Sequence, residues 1–343
     1  MPSEPQRCSL AIFAPSPILT VAIEPAGALE EVHFHAGGQG IWVARMAAGL
    51  GADVSLCVPL GGESGTVLRA LLDGRGVSVL GVETAGANAA YVHDRRSGKR
   101  RVVVESPSPT LGRHEIDDLY GVAATSGLTS DVTLLTGERQ DGVLPADTYG
   151  RLAADLRANG RAVLADLARE PLAAALQGGI DLLKISSEEL CAEDRAVAED
   201  LASLAPAMRA LQREGADNVL VSRAAEPALL LSGERLLEVA GPRLRAVEPH
   251  GTGDAMFGAL GVCIGRGMPV EAAVRFAVAA GAVNVIRHGL GSGSPREIER
   301  LIPEVEIRDV SAIGAAQRAR PPLQPAPNAS KNPPLPDSAG EAG

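Results

Sequence analysis

Aromatic side chains are scarce in this sequence, where Phe, Trp and Tyr together make up 2% of the 343 residues. A buried core must therefore be built from Ala, Val, Leu and Ile, and a hydrophobic content of 45% is enough to build one. The length permits one large domain or two modest ones. The 39 glycines predict many tight turns and close backbone approaches.

Paired cysteines, an excess of positive charge and long apolar runs are also missing. The four cysteines form no C-x-x-C pair, which argues against a zinc site and fits reduced thiols in a cytoplasmic protein. A net charge of −10 argues against a nucleic-acid partner, because phosphate backbones attract basic surfaces, but it is compatible with a local basic pocket for a small anion. No uninterrupted apolar stretch reaches the roughly 18 residues of a membrane span, so no membrane partner is expected.

Strand and helix patterns alternate through most of the chain. The predicted strands cover residues 9–13, 53–58, 77–82, 132–136, 162–165, 182–185 and 218–221. The predicted helices cover residues 40–50, 64–72, 116–125, 146–158, 197–214, 254–266 and 270–287. This alternation indicates an α/β fold in which helices cover both faces of a mainly parallel sheet. Such sheets bind ligands at the carboxyl ends of their strands.

Three segments depart from this alternation. Residues 19–36 and 88–105 each look like a pair of short strands without a helical period, and we interpret them as a small β lid over the end of the sheet. The alternative is that they form extra edge strands of the main sheet. Residues 315–343 are rich in Pro, Ala, Ser and Asn and poor in large apolar side chains, which predicts a disordered tail.

The segment HGTGDAMFGAL, from His250 to Leu260, combines a glycine turn with the start of a helix. Gly251 and Gly253 allow backbone N–H groups to face one point, and a helix N-terminus adds positive potential, so the turn can hold a phosphoryl group. Asp254 in the first helical turn has two interpretations. It is either a helix cap or a general base that takes a proton from a hydroxyl group attacking phosphorus.

This segment resembles the G-[AT]-G-D signature of the PfkB carbohydrate kinases, a ribokinase-like family. Other segments resemble family motifs in the family's order, and they are AGGQGIWVAR from Ala36, PLGGESG from Pro59, TGERQDGVLPAD from Thr136, KISSEEL from Lys184 and AGAVN from Ala280. Several motifs in order are more specific than one glycine pattern. The resemblance covers residues 8–309 and is closest to the 1-phosphofructokinase and tagatose-6-phosphate kinase branch.

The resemblance implies a ribokinase-like three-layer sandwich with one PfkB-type domain over residues 8–309 and a β lid through which relatives often form homodimers. It also implies an ATP-dependent phosphotransferase that uses Mg²⁺ and phosphorylates a hydroxyl of a sugar, sugar phosphate or related small molecule. Asp254 matches the catalytic base, and the family's anion hole is matched by Gly251, Thr252 and Gly253. Glu189 matches the acidic residue that organises Mg²⁺ through water. The sugar site is matched by Gly37, Gly38 and Gly40, and the nucleotide site by Lys184, Ser222, Asn284, Gly289 and Gly291.

The departures from the family cluster at the substrate end. Thr20 stands where the family has an Asp, Gln39 where the phosphosugar branch has a Lys, and Trp42 where it has an Asn. Trp42 either stacks on a substrate or fills the vacated space as part of the core. Arg139 is a candidate replacement cation for a substrate phosphate, and its alternative is a solvated loop charge.

The nucleotide end departs too, because Ser186 replaces the Asn of the N-x-x-E motif. The loop after Ser222 also lacks both family glycines, with Ala224 and Pro227 in their places. These losses favour an alternative in which the chain is a non-catalytic ribokinase-like protein that binds a ligand and regulates. The intact G-x-G-D turn favours an active kinase with a changed substrate.

Overall fold

The computed structural model describes residues 7–27, 29–98, 100–242, 244, 251–285 and 293–312. Its strands are β1 Ser9–Phe13, β2 Ile18–Ala26, β3 Leu29–Gly37, β4 Asp53–Gly61, β5 Val77–Thr84, β6 Ala89–Asp94, β7 Arg101–Glu105, β8 Val132–Thr136, β9 Ala162–Asp166, β10 Ile180–Ser186, β11 Ala216–Arg223, β12 Glu226–Ser232, β13 Arg235–Ala240 and β14 Glu306–Asp309. Its α-helices are α1 Gln39–Gly49, α2 Gly62–Leu72, α3 Arg113–Thr129, α4 Asp147–Ala158, α5 Arg169–Gly178, α6 Ser187–Ala192, α7 Leu201–Glu214, α8 Thr252–Gly265, α9 Val270–Val285 and α10 Pro295–Leu301. The predicted tail at 315–343 lies outside the described residues.

The main sheet contains ten strands in the order β14-β13-β12-β11-β10-β9-β8-β1-β4-β5. From β11 to β5 all neighbours are parallel, whereas β12, β13 and β14 add an antiparallel edge. The predicted, mainly parallel sheet is therefore confirmed. Strand order reverses between β8 and β1, so the ends of these two strands flank the crevice where such sheets bind ligands.

Hydrophobic side chains are buried on both faces of the sheet, which gives three layers. One core lies between the sheet and α1, α8 and α9, and the other lies between the sheet and α3, α4, α5 and α7. All five residues of β8 are buried, as expected for a central parallel strand covered on both sides. Within the described ranges, no helix has the length and apolarity needed to cross a membrane.

The predicted lid is confirmed as a separate four-stranded sheet in the order β3-β2-β6-β7, so the alternative of extra edge strands is wrong. Strand alternation gives this sheet two different faces. Thr20 pairs in register with His35 and Tyr91, which places the three on one face. Their neighbours Val21, Phe34 and Val92 share the opposite, apolar face.

Candidate active site

The start of α8 forms the glycine turn that was predicted to hold an anion, here called the anion turn, and it lies beside Lys184 of the main sheet. Gly251 precedes the helix with φ 74°, a left-handed conformation that glycine adopts at little cost. The first backbone hydrogen bond across this turn runs from the Ala255 N–H to the Gly251 carbonyl, at 2.9 Å. The N–H groups of residues 252–254 come before that bond, where a helix start offers donors to an anion.

Asp254 is the third residue of α8 and its side chain is half-buried. Within the described residues its carboxylate makes no hydrogen bond, and the cap position belongs to Gly251, so the cap interpretation of Asp254 finds no support here. Burial raises the pKa of Asp254 to about 7; Asp166 and Glu189 raise it as well, while Lys184 opposes them. Such a carboxylate can accept a proton near neutral pH.

A buried ion pair lies beside the turn. Lys184 and Asp166 are register partners at the ends of β10 and β9, and Nζ lies 2.8 Å from Oδ2. Burial alone would lower the pKa of Lys184, but Asp166, with help from Asp254 and Glu189, raises it, so the ammonium stays charged. A Cβ atom on Gly253 would lie 2.8 Å from this Nζ, so a larger residue there would require the ammonium to move.

Asp166 was missed by the sequence predictions. The predicted strand at 162–165 ended one residue before it, although an acidic residue at the carboxyl end of an apolar strand is a recognisable signal for a ligand site. What the sequence does not contain is the pairing with Lys184, which depends on the register of two neighbouring strands.

Glu189 closes a capping box at the start of α6. Its Oε2 accepts hydrogen bonds from Ser186 N–H at 2.9 Å and Ser186 Oγ at 2.6 Å, and Ser186 Oγ accepts from the Glu189 N–H at 3.1 Å. Ser186 and Ser222 are register partners at the ends of β10 and β11. The candidate metal and nucleotide residues therefore lie along the same edge as Lys184.

The turn after Ser222 has adapted to the loss of its glycines at a cost. Ala224 has φ 41°, a conformation that side chains other than glycine's adopt with strain. Pro227 lies at a register shift between β11 and β12, where a missing N–H is tolerated. Its carbonyl accepts a hydrogen bond of 2.6 Å from the buried Arg223 side chain, which also pairs with Glu238 at 3.3 Å.

The remaining nucleotide predictions fall on and after α9. Asn284 is buried near the end of this helix. A Cβ atom on Gly281 would lie 3.1 Å from Thr252 Cγ2, so α9 passes close to the anion turn. Gly289 and Gly291 lie outside the described residues.

The glycine motif before α1 packs against the ends of β1 and β8. Gly38 has φ 106°, and a Cβ atom there would lie 2.7 Å from the Ser16 carbonyl. A Cβ atom on Gly40 would lie 2.4 Å from Ala14 Cβ and 2.9 Å from Thr136 Oγ1. The motif thus reaches the crevice at the reversal of strand order.

The residues that depart from the family make contacts of their own. Gln39 Oε1 accepts a hydrogen bond from the Gly137 N–H at 2.7 Å, and its Nε2 donates to the Asp166 carbonyl at 3.4 Å. The side chains of Ile18 and Thr20 flank Gly37, and neither carries a charge. Trp42 is half-buried, with the Arg45 guanidinium 5.1 Å from its ring centre.

Arg139 reaches the lid. Its Nη2 and Nε lie 2.6 Å and 2.7 Å from Glu105 Oε1 at the end of β7, and its guanidinium lies 5.5 Å from the Tyr91 ring centre. Arg139 is therefore an exposed loop cation that pairs with Glu105 and lies over the Tyr91 ring. Taken together, the structure gathers Asp254, Lys184 and the anion turn at one point, while Gln39 and Arg139 attach to neighbouring strand ends and the lid.

Comparisons with known proteins agree with this arrangement. Residues 13–297 match the model of the pfkB family carbohydrate kinases. The chain is 31% identical to ATP-dependent 6-phosphofructokinase isozyme 2 of Mycobacterium tuberculosis (strain CDC 1551 / Oshkosh) over 77% of this chain and 78% of that protein. It is 26% identical to 1-phosphofructokinase of Vibrio cholerae over 80% of this chain and 86% of that protein.

A solved structure of the tetrameric inhibited form of phosphofructokinase-2 from Escherichia coli superimposes with a TM-score of 0.74 and 25% identity, over 87% of this chain and 99% of that one. These relatives favour a catalytic role over the non-catalytic alternative. The chain therefore belongs to the pfkB family of carbohydrate kinases, enzymes that transfer a phosphoryl group from ATP to a hydroxyl of a sugar, sugar phosphate or related small molecule.

Proposed function

We propose that residues 8–309 form one kinase domain in which Asp254 is the catalytic base. The observation that carries this proposal is a half-buried carboxylate with a pKa of about 7 directly beside an N–H-lined helix start. An accepting hydroxyl placed next to Asp254 gives up its proton as the oxygen attacks the phosphorus of ATP. The same helix start faces the charge that develops on the transferred group.

Lys184 supports this step from the nucleotide side. Its ammonium is held by Asp166 and lies against Gly253, so its position is fixed before any ligand binds. A fixed cation beside the anion turn stabilises the phosphoryl oxygens without reorganising during the reaction. We assign Ser222, Asn284, Gly289 and Gly291 to the nucleotide site by their positions in the family motifs.

The residues present fit a Mg²⁺ ion held indirectly. Asp166 and Glu189 both raise the pKa of Asp254, so the three carboxylates lie within electrostatic range of one another. Mg²⁺ prefers oxygen ligands and keeps several waters when it binds. Across the described residues no group of three or more side chains has the arrangement of a direct metal site. We therefore assign Glu189 to Mg²⁺ through water; the ion would offset charge on the ATP phosphates.

We also propose a cytoplasmic location and a homodimer formed through the lid. All four cysteines are free thiols, as expected in a reducing compartment. The lid exposes Val32, Phe34 and Val104, each about half accessible, and one relative has been solved as a tetramer. Exposed apolar side chains on a sheet favour association.

The test of the proposed reaction is release of ADP. The full-length protein with ATP and Mg²⁺ is offered hexoses, hexose phosphates and nucleosides, with Asp254→Asn as the matched control. We expect acceptor-dependent ADP release from the wild type and little from the variant. ADP release that no acceptor stimulates would contradict the proposal.

A further inference from the structure

The lid is joined to the main sheet by a set of polar contacts that the reaction itself does not require. Arg139, in the loop after β8, donates a hydrogen bond from Nε to Glu105 Oε1 on β7 at 2.7 Å, and its Nη2 forms an ion pair with the same oxygen at 2.6 Å. Nearby, Ser108 N–H donates to Gln140 Oε1 at 3.3 Å, and Thr110 Oγ1 donates to the Gly142 carbonyl at 3.0 Å. All three contacts join the chain leaving the lid to the loop at residues 137–142.

The contact with Tyr91 shows which face of the lid Arg139 packs against. Tyr91 is the register partner of both Glu105 and Thr20, so its ring lies on the face that carries Thr20. The guanidinium of Arg139 lies 5.5 Å from the ring centre while it bonds Glu105. A planar cation that lies over a ring, donates a hydrogen bond from Nε and brings Nη2 within ion-pair distance of the same carboxylate has a defined orientation.

The loop that carries Arg139 is itself held in place. Glu138 Oε2 accepts a hydrogen bond from the Val143 N–H at 2.8 Å, and Gln39 Oε1 accepts one from the Gly137 N–H at 2.7 Å. Arg139 therefore projects from a short segment anchored at both sides. An anchored cation can fix the position of a lid, whereas one on a mobile loop would follow it.

We propose that Arg139 is a positioning residue that holds the lid over the acceptor end of the crevice through Glu105 and Tyr91. This rests on the proposed kinase function, because the crevice under the lid is where the acceptor binds in that proposal. An acceptor that binds the closed form has an apparent affinity proportional to the closed fraction. Loss of the contact lowers the closed fraction, so KM for the acceptor rises. The value of kcat stays unchanged, or it increases if lid opening limits product release.

Glu105→Gln separates this role from direct binding of substrate by Arg139. For a positioning role, we expect KM to rise about two- to fivefold, the size of an exposed ion pair, because the contact between Arg139 and Tyr91 remains. The rise is the same for neutral and phosphorylated acceptors. If Arg139 instead binds a substrate phosphate, freeing it from Glu105 lowers KM for phosphorylated acceptors, and that result overturns the proposal.

Two further variants complete the test. Arg139→Glu with Glu105→Arg reverses the pair, and the double variant should bring KM closer to the wild-type value than either single variant, each of which places two like charges together. Asp141→Asn is the matched control, because it breaks the exposed Arg169–Asp141 pair of the same loop, at 2.8 Å, which does not touch the lid. A KM change in this control equal to that in Glu105→Gln overturns the proposal.

Hydrogen exchange tests the contact independently of turnover. In the wild type, the amides of β6 and β7 should exchange more slowly than in Glu105→Gln, and Asp141→Asn should match the wild type. A chain that phosphorylates no acceptor but shows this difference would refute the kinase proposal and keep the contact. Equal exchange in all three proteins would overturn the positioning role.

Discussion

At the scale of the residue, Asp254 combines two properties that a helix cap does not need. Its carboxylate has no hydrogen-bond partner in the described part of the chain, and its pKa is raised to about 7. A capping carboxylate accepts backbone N–H groups and usually has a lowered pKa. The electrostatics therefore favour the base.

Asp254→Asn should reduce kcat by about 10²–10⁴-fold while the protein stays folded, because Asn keeps the shape and loses the proton acceptor. The folded-state pKa lies above the ordinary value of 3.8, so ionisation destabilises the fold progressively as pH rises from about 4 to about 7. The variant should therefore be more stable than wild type at pH 8, by about 1 kcal/mol or more. Turnover equal to wild type would remove Asp254 from the mechanism.

The pH profile is a second consequence of the same pKa. The base must be ionised to act, so kcat/KM should rise with pH, by about tenfold per unit below pH 7, and level off above it. Steady-state rates from pH 5.5 to 8.5 with saturating ATP measure this. A flat profile across that range would mean that another group, or none, accepts the proton.

The prediction about the substrate rests on Gln39 and its neighbours. The amide of Gln39 is already bonded to Gly137 and Asp166, and the nearby Ile18 and Thr20 are uncharged, so these three positions supply no charged partner for a sugar phosphate. Each missing charged hydrogen bond costs about 1.5–3 kcal/mol.

We therefore expect fructose 1-phosphate and tagatose 6-phosphate to be poor substrates. Steady-state kinetics on both compounds decides it. A kcat/KM near or above about 10⁴ M⁻¹s⁻¹, ordinary for an enzyme on its own substrate, would refute this. If Arg139→Ala then removed that activity but left activity on neutral acceptors, while Arg169→Ala removed neither, Arg139 would be the phosphate ligand.

At the scale of the element, the hairpin of β11 and β12 stores strain at Ala224. Its φ of 41° is favourable for glycine and costs other residues about 1 kcal/mol. Ala224→Gly should therefore raise the free energy of unfolding, measured in urea, by up to about 1 kcal/mol, or leave it unchanged where relief of strain only offsets the usual penalty of glycine. Ala225→Gly, next to it without positive φ, is the control and should destabilise. A less stable Ala224→Gly variant than Ala225→Gly variant would show that the turn is not strained.

The sequence patterns predicted the central strands well because these strands are continuous apolar runs covered on both faces. β1 and β8 match the predicted bounds, and the other predicted strands of the main sheet extend by one to four residues. β12 was missed although it is as apolar as its neighbours, since periodicity alone cannot separate a strand from a loop or helix segment. The predicted helix at 197–214 begins at Leu201 instead, where the Asp200 side chain accepts a hydrogen bond from the Ser203 N–H at 2.8 Å.

The candidate site was predictable where it depends on one local turn and not where it depends on register. Gly251 to Asp254 are adjacent in sequence, so their joint role could be inferred before the fold was known. The Lys184–Asp166 pair and the contacts of Gln39 join positions 18 and 127 residues apart. These contacts also change the interpretation of Gln39, because its amide is already hydrogen-bonded to backbone groups of Gly137 and Asp166.

At the scale of the whole molecule, the apolar face of the lid is packed against the main core only at its base, among the residues that the structure describes. Leu19 and Ala36 at that base are buried in the main core, whereas Phe34 is 50% and Val104 56% accessible. Val21 and Val92 lie between them on the same face. This surface suits a second copy, because a stable pair buries about 800 Å² on each partner and favours aromatic and aliphatic side chains at its centre.

We therefore expect the wild-type protein to be at least dimeric at micromolar concentration by sedimentation, and Phe34→Asp to shift it to monomer. A buried aspartate at the centre of such an interface costs several kcal/mol, enough to dissociate a micromolar pair. Val197→Asp is the matched control: Val197 is 95% exposed and lies far along the chain in the segment before α7, so its substitution should leave the assembly unchanged. A monomeric wild type, or dissociation by both substitutions alike, would place any association elsewhere than on the lid.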